Sequence, residues 1–360
     1  MFVAGDTSVD NGERSQLQNF AHAAGLAAGR MQEGGRGQSS LLTQERRLSS
    51  LAFMPRQPRL EYEGAIYHVM NRGDRREEIV RGVEDRELFV KTLGEACVKS
   101  GWEVHAWCLM TNHFHLVVET PLGNLVAGMK WLLGTYTIRY NVRHGLRGHL
   151  FAGRYKSLVV DDRDHHYLRV VSDYVHLNPA RAGLVKSEEQ LEAYRWSSYG
   201  QYLEAPGMRE AWLRMDRVLG EHGIVRDDRR GRLEFSRRME AQRHEPGPSD
   251  HEAIRRGWKI GGEEFVARML DMVEGATGVN HTRQAAEEGM QQRARRIIAD
   301  GLTVAGWAEA RLESERKSHP VKVEVARRLR RETTMTLQWI AERLHMGKWT
   351  HLSNLLRRPV

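Results

Sequence analysis

The stretch that decides the fold is residues 102–119, WEVHAWCLMTNHFHLVVE, in which two strand-like runs flank a short polar turn. Residues 102–109 and 113–119 are rich in β-branched and aromatic side chains, which favour strands. The segment therefore predicts two strands joined by Met110-Thr111-Asn112. Because side chains alternate along a strand, His113 and His115 should project from one face and Phe114 from the other.

The residues around this pair alternate between strand and helix patterns. Residues 65–71 and 154–160 favour strands, and the apolar periodicity predicts helices over 84–100, 122–143 and 163–177. We expect the last helix to end at Asn178-Pro179, since the residue before a proline disfavours the helical region. The order βαββαβα is typical of an α+β, ferredoxin-like split βαβ domain with an antiparallel sheet.

The rest of the chain divides by composition into segments of different character. We expect a disordered, glycine-rich N-terminal extension over 1–53, after which Met54 opens a segment typical of a chain start. The predicted organisation is then an α+β domain over 54–202, a charged helical connector and linker over 203–255, and a helical C-terminal region over 256–360.

The C-terminal forty residues have the pattern of a helix-turn-helix. Residues 321–331, 336–345 and 349–357 are helical in pattern, with a turn at 346–348. Nine of the residues from 321 to 360 are Lys or Arg and three are Glu, so this segment contains most of the excess positive charge. Contact with duplex DNA is one interpretation, and a small helical bundle docked on the preceding domain is the other.

Composition limits the classes of partner and compartment. The 55 Lys and Arg residues against 47 Asp and Glu give a net charge of +8, which makes nucleic acid the leading partner class. No apolar run reaches membrane-spanning length and no signal peptide is evident, so we expect a cytoplasmic protein without a membrane partner. The two cysteines form neither a disulfide framework nor a zinc ligand set.

Two short motifs contain residues suited to chemistry. The paired imidazoles of His113 and His115 supply half of a metal site, although such a pair also occurs without a ligand. Tyr174 and Asn178 are four residues apart and share one helix face. A tyrosine hydroxyl is a possible covalent nucleophile, and the alternative is a half-buried packing residue.

Together and in this order, the motifs resemble the HUH single-tyrosine transposases, the insertion sequence 200-like transposases. Within that family the resemblance is closest to the REP-associated tyrosine transposases. It spans about residues 54–200, with a C-terminal extension around 256–262. The matching strings are YHVMNRG (67–73), WCLMTNHFHLV (107–117), GRYKS (153–157), YVHLNPARAGL (174–184) and WSSY (196–199).

The resemblance implies the roles of four residues. His113 and His115 correspond to the paired ligands of Mg²⁺ or Mn²⁺, and Asn178 to a polar third ligand that is often Gln in relatives. Tyr174 corresponds to the nucleophile, which forms a 5′-phosphotyrosine link and leaves a free 3′-OH. The implied activity is metal-dependent cleavage and joining of single-stranded DNA beside a hairpin, in DNA transposition. A hairpin-binding protein with weak or lost catalysis is the alternative.

The implied DNA contacts are basic and aromatic side chains, since single strands are held by phosphate contacts and base stacking. The predicted contact residues are Arg72, Lys130, Arg154, Tyr155, Lys156 and Arg181, with Lys348 and Arg357 in the C-terminal helices and Arg75, Arg76 and Arg139 as further candidates. The other histidines, His68 and His176 among them, are interpreted as packing or surface residues. The family includes monomers and homodimers, and both states stay open.

Overall fold

The predicted strand pair forms as β2 (Glu103–Leu109) and β3 (His113–Thr120). The computed structural model describes residues 60–161, 163–244, 259–276 and 281–357. The turn between the strands is closed by the backbone N–H of Met110, which donates to the carbonyl oxygen of His113 at 2.8 Å. Both strands are almost wholly buried, so the hydrophobic pattern and the tight turn together determine their pairing.

The sheet has the order β2-β3-β1-β4-β5, with β1 at Ala65–Arg72, β4 at Lys156–Val160 and β5 at Lys259–Ile260. The first four strands pair antiparallel in the split βαβ order, which confirms the predicted α+β fold. The additional β5 pairs parallel to β4. Its two residues are too few to show a strand periodicity in the sequence.

Two helices cover one face of the sheet, α1 (Val83–Ser100) and α2 (Leu125–His144). Phe114 points to this face as expected, with its ring centroid 5.1 Å from that of Phe89. Phe89 in turn meets Tyr136 of α2 edge to face at 5.0 Å. The Phe114 side chain thus anchors β3 in the core, and its neighbours in sequence face the other layer.

The opposite face is covered by α3 (His165–Arg181), which continues beyond its predicted end. The expectation that Asn178-Pro179 terminates the helix is wrong. A proline removes only its own N–H, and the later donors still find helical carbonyl groups. Ala182 N donates to Asn178 O at 3.0 Å and Leu184 N donates to Pro179 O at 2.9 Å.

The apolar side of α3 packs on the strands. Leu168, Val171 and Val175 are buried in one cluster with Ile66 and Val117 of β1 and β3. This cluster holds α3 at a fixed rotation about its axis, which determines which of its side chains face the strands.

The rest of the described chain is mostly helical. The charged connector predicted from residue 203 contains, as far as residue 244, one short and one long helix separated by irregular segments. The further helices are α4 (Tyr199–Leu203), α5 (Asp216–Glu221), α6 (Arg229–His244), α7 (Glu263–Ala276), α8 (His281–Val304), α9 (Arg311–Ser314), α10 (Pro320–Glu332), α11 (Leu337–Arg343) and α12 (Trp349–Arg357), with 3₁₀ turns at Asp74–Arg76, Leu191–Ala193 and Pro206–Met208.

The three predicted C-terminal helices are present as α10, α11 and α12. The turn between α11 and α12 contains Gly347 at φ +82°, a conformation that glycine adopts without strain. Thr336 caps α11 by accepting a hydrogen bond from Trp339 N at 3.1 Å. The buried Lys322 ammonium donates to the carbonyl oxygens of Leu312 and His345, which fastens α10 to its surroundings.

Lys99 connects these helices to the sheet domain. Its ammonium lies 5.0 Å from the ring centroid of Trp131 and donates to the carbonyl oxygens of Arg330 and Arg331 at the end of α10. Burial lowers the pKa of this amine to about 8. A cation at the last carbonyls of a helix is favourable because these oxygens have no partner within the helix.

Several expectations fall outside the described residues. These are the N-terminal extension over 1–53, the part of the 203–255 connector and linker from residue 245 onward, and the 256–258 part of the C-terminal extension. The domain boundaries at 202 and 255 stay predictions. No helix in the described parts of the chain is both long and apolar enough to cross a membrane.

Acid should destabilise the protein through His176, whose imidazole is buried against Tyr202 and bonded to Ser198 Oγ at 2.8 Å. Burial lowers its pKa from 6.5 to about 3. The unfolded chain therefore binds a proton that the folded protein excludes, so stability is full above pH 6.5 and falls towards pH 3. At pH 5 the loss is on the order of 2 kcal/mol.

Urea unfolding at pH 7 and pH 5 measures this loss. His176→Gln retains a polar group for Ser198 without the titration, and its stability should fall less than that of the wild type over the same interval. An equal fall in both proteins would contradict the assignment.

Candidate active site

The strand register gathers the predicted site residues on the sheet face that α3 covers. In β1 and β3, Arg72 is paired with His113 and Met70 with His115. In β1 and β4, Met70 is also paired with Lys156. Paired residues on neighbouring strands point to the same face, so both imidazoles, Arg72 and Lys156 share one side of the sheet.

The two imidazoles lie side by side, as the strand periodicity predicts. The ring centroids of His113 and His115 are 5.1 Å apart and the ring planes are inclined at 82°. His115 is buried, whereas His113 is partly accessible. The pair therefore has one ring inside the protein and one at the edge of the face.

Helix α3 brings Tyr174 and Asn178 to the same place. The Asn178 amide nitrogen is 3.3 Å from His115 Nε2, and the Tyr174 ring centroid is 5.8 Å from that of His115. The two residues are one helical turn apart, so the rotation of α3 that buries Val175 aims both at the strands. All four residues belong to one chain.

Arg181 lies over the nucleophile candidate. Its guanidinium carbon is 5.1 Å from the Tyr174 ring centroid, and its Nη1 donates to the Tyr174 carbonyl oxygen at 3.4 Å. This contact depends on the extra helical residues beyond Pro179, because Arg181 is the last residue of α3. The guanidinium is placed where it can meet an anionic group beside the phenol.

His68 is also part of the site, although the sequence analysis interprets it as a packing or surface residue. Its Nε2 is 3.0 Å from His115 Nδ1, and its ring meets Tyr174 edge to face at 5.9 Å. The position follows from the β1–β3 register, since His68 is two residues from Met70, the partner of His115. No local motif indicates this pairing. By contrast, His176 packs in the core as expected.

Asn112, in the turn before β3, is a second residue that the sequence analysis did not select. Its Oδ1 is 2.7 Å from His113 Nδ1 and its Nδ2 donates to the carbonyl oxygen of Arg76 at 3.2 Å. The contact links His113 to the loop of Arg75 and Arg76, which have φ values of +50° and +65°. Such values are strained for residues with a Cβ.

The electrostatics of the face keep the imidazoles neutral. Burial and the nearby Arg72 charge lower the pKa of His113 to about 4. Burial, followed by the charges of His68, His113 and Arg72, holds the pKa of His115 well below 6.5. Neutral imidazoles keep a lone pair for a metal ion, which a protonated ring does not have.

The donor set fits a divalent cation. Among the described residues no three His, Cys, Asp or Glu side chains form a metal-binding group, so the candidate donors are two imidazoles and an amide. A half-turn of the Asn178 amide places Oδ1 beside His115 Nε2. Two nitrogens and one oxygen then leave coordination positions for water and phosphate oxygens, as Mg²⁺ or Mn²⁺ requires.

The predicted DNA contacts lie in three places: around the site, on α2 in the opposite layer, and at the ends of α12. Arg72, Lys156 and Arg181 lie around the histidines and Tyr174, with the exposed Arg154 just before β4. Tyr155 is buried, so its ring is not an exposed stacking surface. Lys130 and Arg139 lie on α2 in the opposite layer, where Arg139 bonds Thr92 and Glu95. Lys348 and Arg357 are exposed at the two ends of α12.

The contact between Arg181 and Tyr174 should be measurable as a coupling energy. In a double-mutant cycle of Arg181→Gln and Tyr174→Leu, urea unfolding should give an interaction of about 0.5–1 kcal/mol, the usual value for an accessible cation over an aromatic ring. Additive effects of the two substitutions would show that the stacked arrangement contributes nothing to stability.

The comparison with protein families agrees with these motifs over part of the chain. No relative was found among curated proteins. One solved structure, described as "Structure of the REP associates tyrosine transposase bound to a REP hairpin", is similar at 16% identity and a TM-score of 0.36, over 43% of this chain and 88% of that chain. Residues 61–178 match the family described as "Transposase IS200 like". The predicted resemblance to the insertion sequence 200-like transposases is thereby confirmed for the segment that extends from β1 to the Tyr174 helix.

Proposed function

We propose that this protein cleaves and rejoins single-stranded DNA beside a hairpin, with Tyr174 as nucleophile and a divalent cation bound by His113, His115 and Asn178. The observation that supports this most directly is the convergence of Tyr174 and Asn178 with the two imidazoles on one sheet face. The match of residues 61–178 to a transposase family supports the same reaction class.

The reaction transfers a phosphoryl group from one oxygen to another. The Tyr174 oxygen forms a bond to phosphorus, and the bond from phosphorus to the 3′ oxygen breaks. The products are a 5′-phosphotyrosine and a free 3′-OH, and the proton lost by the phenol is balanced by the one gained at the 3′ oxygen. Attack by a 3′-OH on the phosphotyrosine reverses the step and joins two strands, so no nucleotide cofactor is consumed.

The side chains on the face have separate tasks in this scheme. His113, His115 and Asn178 hold the cation, Mg²⁺ or Mn²⁺, which when bound polarises the scissile phosphate. Arg181 stacks on the Tyr174 ring and restricts its orientation. Arg72 and Lys156 project from the same face as the imidazoles and are placed to bind the phosphates that flank the cleaved bond.

The C-terminal helices are proposed to bind the duplex part of the hairpin. α10 to α12 have the lengths and the turn expected of a helix-turn-helix, and Lys348 and Arg357 are exposed at the ends of α12. The second helix of such a motif enters the major groove. Because α3 packs on β1 and β3 of its own chain and brings Tyr174 beside His115 there, we propose that a monomer suffices for cleavage.

Tyr174→Phe should abolish covalent attachment to DNA and leave binding intact, because the ring contacts remain and only the nucleophilic oxygen is lost. The expected loss in rate is on the order of 10³-fold or more. The assay is denaturing electrophoresis of labelled single-stranded hairpins taken from the flanks of the protein's own gene.

A matched control is Tyr199→Phe on α4, which removes a phenol hydroxyl that bonds Ser236 of α6 and no residue of the site. Its adduct yield should equal that of the wild type. Adduct formation by Tyr174→Phe would refute the assignment of the nucleophile, and tight binding of every flanking hairpin without an adduct would favour the protein with lost catalysis.

Removal of the cation should stop cleavage. With EDTA the adduct should disappear, and added Mg²⁺ or Mn²⁺ should restore it. His113→Ala should weaken Mn²⁺ binding, followed by electron paramagnetic resonance of free Mn²⁺, because one of the two imidazole donors is lost. An undiminished cleavage rate in EDTA would exclude the proposed metal dependence.

A further inference from the structure

The hydrogen bonds around His113 determine where its ring proton resides. Asn112 Nδ2 faces the carbonyl oxygen of Arg76, which only accepts, so the other end of the amide, Oδ1, faces the ring at 2.7 Å from Nδ1. An amide oxygen also only accepts, so the proton must be on His113 Nδ1. The lone pair of this neutral imidazole is then on Nε2.

The same reasoning applies to His115 with different partners. In the cation-free arrangement Asn178 Nδ2 donates to His115 Nε2 at 3.3 Å, so Nε2 accepts and the proton is on Nδ1. A cation that takes the place of this donor at Nε2 leaves the proton on Nδ1, and the Asn178 amide then turns its oxygen towards the cation. Nδ1 in turn donates to His68 Nε2 at 3.0 Å. The hydrogen bonds run in one direction from Asn178 through His115 to His68.

The geometry of the His68–His115 contact indicates a well-aligned bond. The ring planes differ by 15° and the centroids are 5.2 Å apart. This separation is close to the greatest that the 3.0 Å N···N distance allows, which is reached when both ring centres lie in line with the two nitrogens, so the rings meet edge to edge in nearly one plane. An in-plane hydrogen bond of this kind restricts the rotation of the His115 ring about its side-chain bonds.

We propose that Asn112 and His68 are positioning residues that hold both imidazoles as the Nδ1–H tautomer and leave Nε2 as the ligating atom of each ring. The inference rests on the metal site proposed above. Both residues touch a ligand candidate at the nitrogen opposite to the one that binds the cation, the position at which a hydrogen-bond acceptor orients a metal-binding histidine.

Asn112 also connects His113, a proposed metal ligand, to the neighbouring loop of Arg75 and Arg76. Its backbone carbonyl accepts from Gly73 N at 2.8 Å while its side chain donates to Arg76 O. The strained backbone of Arg75 and Arg76 is thus held against the same residue that orients His113.

The tautomers can be observed directly in the metal-free protein. Long-range ¹H–¹⁵N spectra of protein labelled with ¹⁵N-histidine distinguish Nδ1–H from Nε2–H rings. The signals of the two rings among the 17 histidines are assigned by their loss in His113→Gln and in His115→Gln. Both rings should be in the Nδ1–H form, and an Nε2–H ring at either position in the wild type would overturn the proposal.

The consequence for metal binding is tested with pairs of variants. Asn112→Ala and His68→Leu remove the acceptors and should weaken Mn²⁺ binding about 10- to 100-fold, measured by electron paramagnetic resonance without DNA. Asn112→Asp keeps an oxygen for His113, and His68→Gln places a carbonyl oxygen near the position of Nε2, so each should bind Mn²⁺ within about threefold of the wild type.

The possible results separate this inference from the proposed function. Wild-type affinity in Asn112→Ala, or equal weakening in Asn112→Ala and Asn112→Asp, would overturn the positioning role while the metal site stands. Wild-type protein that binds no Mn²⁺ would overturn the metal site and the positioning role together. Asn112 is in a partly exposed turn, so we expect its variants to fold. They test the positioning role if His68→Leu does not fold.

Discussion

The antiparallel register between β1 and β3 is the constraint on which the rest of the site depends. It pairs Arg72 with His113 and Met70 with His115, and it places His68 within hydrogen-bond distance of His115. A slip of one residue would turn every one of these side chains to the opposite face. The burial of Phe114 against Phe89 opposes such a slip, because it would expose the ring and bury the neighbouring imidazoles in an apolar layer.

The site is assembled at a cost in stability. His68 is buried, its Nδ1 has no hydrogen-bond partner among the described residues, and burial lowers its pKa to about 3. An unsatisfied buried polar atom costs about 1–3 kcal/mol. Residues chosen for stability alone would fill this position with an apolar side chain. The presence of an imidazole beside His115 is therefore better explained by its contact with that ring than by packing.

Two buried amines hold the C-terminal helices in place, and one of them, Lys99, connects these helices to the sheet domain. Lys322 fastens α10 within the helical region, and Lys99 bonds the C-terminal carbonyl groups of α10 from α1. In each case an ammonium group meets carbonyl oxygens that have few other partners. The Lys99 bonds thus give the C-terminal helices a defined place beside the sheet domain, with the ends of α12 exposed.

The sequence by itself determined the four antiparallel strands, the helices that cover them and the four residues proposed for catalysis and metal binding. These follow from periodicity and short motifs, which are local properties: alternation aligns His113 with His115, and helical spacing aligns Tyr174 with Asn178. Only the tertiary structure decided the rest. The contact of His68 with His115 depends on the strand register. The bond of Asn112 to Arg76 depends on a loop that is distant in sequence, and β5 depends on β4, which supplies its hydrogen bonds. Helix α3 passes Pro179 because Ala182 and Leu184 still find helical carbonyl groups, and this puts Arg181 over Tyr174. These contacts join residues that are far apart in the chain, and no local pattern encodes them.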